Sequence, residues 1–514
     1  MTLAARLVSN STWNVLALTV NVGLNLLILP FVIGNLGIVE FGLAGLIIAC
    51  VAPALIFSTV LSQMTARELA QHLALEDESE GRRVFATALF LVLTVGASIF
   101  LILVLVGPWI AHKLFNLSPN VVDHLVTGFA FIGCGWLCQC LSGVFLALFI
   151  ARQQYSLLAQ VNIGATIAAT ALMFILVPIW PSAVTYLACQ AAGFFVGFVA
   201  ALLLALRLLP GWLSHPALYS PSLKRLVKVG GWQIAAQSGG TVASQADRYL
   251  LGAFMQVQQV GFYNIAQRLQ EAIYIGVLKV GEVLFPLFSA MLEEREERQA
   301  DVLFRASWLL NLLAACALGG IIPVASPLLA RWTNAEAAAQ SEQLLVTLAI
   351  AGMLGCGTNV FSFYLLGSGK TRLSALISVI TAVVITGTSA WTLPLFGWQA
   401  AGWSSLAGMV VQMAAVTVLM RRSFELSDCS SRIVHFVLAP LLVGILVALA
   451  LRLALGQLSL WETPSWWYVV AGYGVSALAV GIAILIASLL GPYGQVSLRD
   501  LQRIIMHFTL ARKN

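Results

Sequence analysis

The chain has 514 residues, of which 60% are hydrophobic and only 9% charged, and its mean hydropathy is +0.93. Soluble domains carry about 25% charged residues, so this balance excludes a water-soluble enzyme or binding module and indicates a polytopic membrane protein. The net charge of +6 is no sign of nucleic acid here, because in such a chain basic residues mark the cytoplasmic loops.

A membrane crossing needs about 20 mostly apolar residues. Such runs number 14: 11–33, 40–63, 84–106, 122–148, 156–179, 183–206, 228–254, 260–289, 303–330, 343–366, 373–395, 398–420, 433–453 and 467–490. They are called segments 1 to 14 below. The expected fold is an all-α polytopic membrane protein. No connection is long enough to be a folded soluble domain.

The N-terminus carries one basic residue, Arg6, and then an apolar run to about Ile33 with no small-residue cleavage pattern. That run is too long for a signal h-region, so it reads as the first membrane helix. Segment 1 carries Asn10, Asn14, Asn21 and Asn25 within about 60° of helical arc, one polar stripe. The connection after segment 2, residues 66–83, is mixed in charge and reads as a solvated loop or short interfacial helix, as does 293–301 after segment 8. Cys134, Cys138 and Cys140 lack paired CxxC spacing and His partners, so they read as small residues at helix contacts, with no metal implied. Gly193 and Gly197 form a GxxxG in segment 6, the pattern of a close helix contact.

Segment 7 carries a second polar stripe, Gln233, Gln237, Gly240, Ser244 and Asp247, with Arg248 adjacent. An ionisable group at bilayer depth costs roughly 2.5 to 3.5 kcal/mol on insertion scales, so it usually faces a cavity or a partner. Segment 8 is the most informative helix. Arg268, Glu271, Lys279 and Glu282 are spaced 3, 8 and 3 and share one face. Two readings stay open: a neutral stripe of i,i+3 ion pairs, or the wall of a hydrated cavity. GSGKT (367–371) lacks the first glycine of a phosphate loop, since Tyr364 stands there, and it follows a membrane helix, so nucleotide binding is not expected. No nucleophile–base arrangement is present, no cofactor is expected, and the chain does not read as an enzyme. The tail 497–514 alternates apolar and basic residues as an amphipathic helix on the inner surface.

With the N-terminus inside, 21 of the 27 Lys and Arg residues fall at inner ends and loops. Only Lys113, Arg331 and Arg452 fall outside, and Arg248, Arg268 and Lys279 lie within segments. This bias places both termini in the cytoplasm. Trp180, Trp391, Trp398, Trp461, Trp466 and Trp467 fall at outer ends, as an interfacial belt does.

The chain also repeats itself. Trp13 and Trp232 are 219 positions apart, as are Gly42 and Gly261, and ARQQYS (151–156) matches GSGKTR (367–372) at a similar offset. An even, six-segment period argues for two bundles in the same orientation. The expected organisation is a six-helix bundle over 1–210, a second over 225–422, helices 13 and 14 over 431–490 and a tail over 497–514. The polar stripe of the first half is uncharged and that of the second half is charged.

These features resemble the polysaccharide transporter family, the O-antigen and exopolysaccharide repeat-unit flippases of the multidrug/oligosaccharidyl-lipid/polysaccharide exporter superfamily. The resemblance rests on Trp13–Gly45 with NLGIVEFGLAGL, on Asp247-Arg248-Tyr249-Leu250-Leu251-Gly252, on Val260–Ala266 and on Phe285–Ser289, and it spans essentially the whole chain. It implies two six-helix bundles around a central cavity lined by segments 1, 2, 7 and 8. It implies a flippase of the bacterial cytoplasmic (inner) membrane that moves an undecaprenyl-pyrophosphate-linked oligosaccharide, driven by a coupling proton or sodium. Membrane lipid is then its surroundings, and a glycan polymerase and chain-length proteins are its expected partners. In that setting Arg248, Arg268 and Lys279 would meet the pyrophosphate or acidic sugars. Asn14, Asn21, Asn25, Gln233, Gln237 and Ser244 would bind sugar hydroxyls. Asp247, Glu271 or Glu282 would carry the coupling ion. A multidrug/cation antiporter of the same superfamily is the alternative. A membrane-embedded glycan polymerase or ligase is a more distant one, since no large external loop exists.

Overall fold

In the computed structural model the described residues are 3–208, 210–212, 216–226, 245–282, 284, 288, 291, 294–424, 426–456 and 465–493. Among them the ordered elements are all helical, with no strand. Twelve helices are long and apolar enough to cross a membrane, and they coincide with segments 1 to 6 and 9 to 14. Segment 7 lies mostly outside the described residues, with 245–254 helical. Segment 8 is the helix Val257–Glu282, whose 26 residues would extend about 39 Å at 1.5 Å per residue. Its polar content, with Gln258, Gln259, Asn264, Gln267 and Gln270 beside the charges, sets it apart from the twelve, not its length. The chain divides into two units, Met1–Gly261 and Phe262–Asn514.

Within the first unit, segment 4 is the core helix, with 61% of its apolar window buried, whereas segment 3 has only 11%. Small residues let the neighbours close in. A Cβ on Gly193 would meet Ala169 Cβ at 2.6 Å and Ala165 O at 2.9 Å, and one on Gly135 would meet Ala191 at 2.6 Å. The GxxxG of segment 6 is therefore a close contact, with segment 5. The connection after segment 2, expected as a solvated loop or short interfacial helix, is mostly helix and continuous with its neighbours. Segment 2 runs Ile38–Ala74 and segment 3 begins at Glu78. Ala66, Glu68, Leu69 and His72 continue the buried face of segment 2 past its apolar run, and burial at helical spacing overrides the polar composition. Asp77 then caps the next helix, accepting from the Glu80 N–H at 3.1 Å.

Two local features support the repeat. Segment 4 ends at Gln153, in the left-handed region at φ 58°, with the Gln154 N–H donating to Phe149 O at 2.9 Å. Segment 10 ends at Gly369, φ 73°, with the Lys370 N–H donating to Leu365 O at 2.8 Å. Both are the six-to-one helix stop that needs a left-handed residue, so Gly369 in GSGKT terminates a helix. In addition, a Cβ on Gly42 would strike Val257 O, and one on Gly261 would strike Ile38 O. Shifting either contact by the 219-residue offset produces the other. The helix starts at 38 and 257 thus pack backbone to backbone, within the first unit.

In the second unit the core helix is segment 10, Ala335–Gly367, with 78% of its window buried. It is the repeat counterpart of segment 4. Segments 13 and 14, outside the repeat, are fixed on segment 9 by side chains that answer π-turn carbonyls. A π turn takes carbonyls out of the i→i−4 ladder, and buried carbonyls must find other donors. In segment 13 the π turn spans Val434–Leu438, and Asn311 Nδ2 donates to Val437 O at 3.2 Å. In segment 9 it spans Ala315–Gly319, and the Tyr473 hydroxyl donates to Ala317 O at 3.2 Å. Trp308 Nε1 donates to Ser488 Oγ at 2.9 Å. Of the expected aromatic belt, Trp180, Trp391, Trp466 and Trp467 are exposed, but Trp398 is buried against Phe262 at a centroid distance of 5.9 Å. Trp461 lies outside the described residues.

At the end of this helix group, Arg432 Nε donates to Asp428 Oδ2 at 2.7 Å, Tyr493 donates to the same oxygen at 2.8 Å, and Arg305 pairs with Asp301 at 2.7 Å. The Arg432 hydrogen bond, aided by Tyr493, holds the Asp428 carboxyl below the usual carboxylate range, and loss of hydration together with Asp428 pushes the Tyr493 phenol up. A carboxyl with a depressed folded-state pKa stabilises the fold above its unfolded value and loses that contribution as pH falls through the folded one. Thermal melts in detergent are therefore expected to show the wild type losing more stability than Asp428→Asn below about pH 4.

Candidate translocation residues

In the first unit the charged pair is enclosed. Asp247 is 3% exposed and Arg248 is 7% exposed, on the helix 245–254. Arg248 donates to Gln245 Oε1 at 2.6 Å, and both charges make further interactions within the fold. The next residue has a clear structural task. Pro53 interrupts segment 2, and a proline inside a helix leaves the carbonyl four residues earlier without a donor. That carbonyl is Ala49 O, and the Tyr249 hydroxyl donates to it at 2.6 Å. Tyr249 thereby ties the helix of the charged pair to the proline site of segment 2. Tyr249→Phe is expected to lower stability by about 1–3 kcal/mol, the usual effect of stranding a buried acceptor. A thermal shift of the purified variant measures it, and an unchanged melting temperature would remove the tie.

Asn21 and Asn25 are both accounted for by helix contacts in this state. Asn21 Oδ1 accepts from the Thr166 hydroxyl of segment 5, and Asn25 Nδ2 donates to Asn21 O at 2.7 Å. The side chains of Asn14 and Glu282, and residues Gln233, Gln237 and Ser244, lie outside the described residues.

In the second unit, segment 8 packs on segment 10 through Gln270 and Tyr274. Gly352 and Gly355 make room for them: a Cβ on Gly352 would overlap Gln270, and one on Gly355 would lie 3.4 Å from Tyr274. Tyr274 accepts from Asn359 Nδ2 at 3.0 Å. At 100° per residue Arg268 lies about 160° from Gln270 and about 120° from Tyr274, so it turns away from segment 10, whereas Glu271, about 100° and 60° from them, lies at the side of the packed face. Arg268 and Glu271 are half-buried and, among the described residues, make no hydrogen bond or ion pair. The i,i+3 pairing that would have neutralised them is therefore absent at this pair. Lys279 is exposed and has a partner within the fold. Gln267, on the same helix, keeps a buried Oε1 without a donor.

Three polar residues were not singled out by sequence pattern. Tyr249 answers a proline. Glu40 accepts from the Ala183 N–H at 2.7 Å, a carboxylate at the start of segment 6 where the helix dipole favours it. His72 is the third and is treated below. Among the described residues no group of three His, Cys, Asp or Glu side chains could hold a metal ion.

The chain matches the polysaccharide biosynthesis protein family over residues 7–292, more than half its length. It is 23% identical over 304 residues to a candidate O-antigen transporter of Shigella flexneri, covering 56% of this chain and 68% of the relative. Its fold is similar to that of the lipid II flippase MurJ in an inward closed conformation, with a TM-score of 0.72 at 10% identity, covering 96% and 99% of the two chains. It is also similar to an inward-facing multidrug resistance MATE family transporter of the MOP superfamily, with a TM-score of 0.63 at 15% identity, covering 86% and 96%. At such identities these likenesses speak to fold alone. Together with the twelve membrane-capable helices found among the described residues, the family match makes this chain a multi-pass membrane protein of the polysaccharide biosynthesis protein family.

Proposed function

We propose that this protein is a flippase that moves an undecaprenyl-pyrophosphate-linked oligosaccharide repeat unit across the bacterial cytoplasmic membrane by alternating access, coupled to a proton or sodium. The observation that carries the reading is the pair Arg268 and Glu271, half-buried on a membrane-length helix and without ion-pair partners among the described residues. Structural charges in a membrane pair with one another; unpaired ones line water or bind a ligand. Arg268, with Arg248 and Lys279, supplies cations for a pyrophosphate or acidic sugar. Asn14, Asn21, Asn25, Gln233, Gln237 and Ser244 supply hydroxyl-binding groups, and Asp247, Glu271 or Glu282 the coupling carboxylate.

In this reading all 14 segments span, six to each bundle plus segments 13 and 14, and both termini are cytoplasmic. A glycan polymerase and chain-length proteins act on the delivered unit. The test is surface glycan in a strain lacking the gene, complemented by wild type, Arg248→Ala or Arg268→Ala at equal membrane abundance. Accumulated inner-leaflet lipid intermediates and lost surface glycan support the flippase. Full restoration by both variants removes the cationic site.

The MATE-like fold favours one second reading, a drug or cation antiporter. Overexpression that lowers drug susceptibility while a null strain keeps its surface glycan would select it.

A further inference from the structure

The connector between segments 6 and 7 is held on the first unit at several points. The Ala217 N–H reaches Ala86 O at 3.4 Å, the Tyr219 N–H reaches Thr87 Oγ1 at 3.3 Å, and Leu226 packs on Ile56, Val60 and Met64 of segment 2. Continuing along that face of segment 2 come Glu68 and His72, each 8% exposed. Arg225 of the short helix 220–226 lies with a guanidinium nitrogen 3.1 Å from His72 Nε2. Arginine can only donate. His72 Nε2 must therefore accept, so the imidazole is neutral and its proton is on Nδ1. That Nδ1 is buried with no acceptor, and on the helix of Arg225 the Ser222 Oγ is also buried without a partner. Among the described residues Glu68, one turn before His72, makes no hydrogen bond or ion pair.

We propose that His72 is a proton-binding site, and that its protonation releases the connector helix 220–226 from segment 2. A protonated imidazole has no lone pair on Nε2 and sets a second cation against Arg225, so the two states of the contact exclude each other. Nδ1–H and Glu68 lie on the same helix face one turn apart, within the reach of i,i+4 side chains, which gives the imidazolium a carboxylate to turn to. Asp77, which accepts from the Glu80 N–H and Ser79, also lies within electrostatic reach of His72 and favours the imidazolium alongside Glu68. On segment 3, whose Gly81 lies by His72, Arg82 pairs with Glu78 and Arg83 with Glu80. Arg152 is stacked on Trp212 at 5.3 Å. Arg67 and Lys224 are exposed and carry the same sign as Arg225. The neutral imidazole makes the contact and the imidazolium cannot, so the contact is lost on acidification. This proposal does not depend on which solute the protein carries.

The test is amide hydrogen exchange of the full-length reconstituted protein, read on peptides within 216–226 and corrected for the intrinsic pH dependence of exchange. Exchange of the 220–226 amides is expected to be about tenfold faster at about pH 5.5 than at about pH 7.5. His72→Gln keeps an acceptor but cannot charge, and is expected to change less than about twofold between the same conditions. Arg225→Gln, at an exposed position, keeps a donor without the cation and is likewise expected to change less than about twofold. Wild-type exchange that does not respond to pH overturns the proposal. So does either variant retaining the full wild-type response.

Discussion

Arg268→Ala is expected to abolish most translocation while leaving the protein folded. The side chain is half-buried and makes no hydrogen bond or ion pair among the described residues, so its removal strands no partner. A truncation that breaks no described hydrogen bond or ion pair is expected to cost no more than about 1 kcal/mol. A charge-assisted hydrogen bond to a phosphate oxygen is worth about 1.5–3 kcal/mol, which is about 10- to 100-fold in affinity. Surface glycan should fall by that order at unchanged membrane abundance and melting temperature. Arg268→Lys should recover part of it, because lysine keeps the charge but loses the two-pronged donor geometry. Wild-type glycan levels for Arg268→Ala would show that this half-buried charge has no ligand.

Arg248→Ala is expected to act differently, through stability first. Asp247 and Arg248 are adjacent, opposite in sign and almost fully enclosed. Together they leave a locally neutral interior. Removing the guanidinium leaves a buried carboxylate short of its compensation and Gln245 Oε1 without its 2.6 Å donor. Breaking a buried charge pair by truncating one side costs roughly 3–5 kcal/mol. The variant should therefore show lower membrane abundance and a melting temperature reduced by several degrees, so its surface glycan is read against wild type expressed down to the same abundance. The paired change Asp247→Asn with Arg248→Gln should recover much of that loss, since it keeps polar groups and removes both charges. A stable Arg248→Ala protein with normal abundance would show that the enclosed charges are not a structural pair. The contrast separates two kinds of intramembrane cation that look identical in one dimension.

Much of the architecture was legible one residue at a time. The apolar runs identified the twelve membrane-capable helices because lipid demands about 20 apolar residues in a row, and that demand is local. The 219-residue offset was equally legible. Its consequence, Gly42 on Val257 and Gly261 on Ile38, needed coordinates. The extension of segment 2 through ARELAQHL was missed because charge in the sequence suggested solvent, while packing buried Glu68 and His72.

The sequence by itself determined that this is a membrane-embedded, all-helical, internally repeated chain whose polar residues gather on a few helix faces. Tertiary structure alone decided what each polar group meets. The Ala49 carbonyl released by Pro53 is answered by Tyr249, 200 positions away. The π-turn carbonyls of segments 9 and 13 are answered by Tyr473 and Asn311. Arg225 finds His72 at a separation of 153 residues, while Arg268 finds no such partner among the described residues. The physical reason is the same in each case. Hydropathy is summed along the chain, but a buried donor or acceptor is satisfied by whatever the fold brings within about 3 Å, and that neighbour has no fixed place in the sequence.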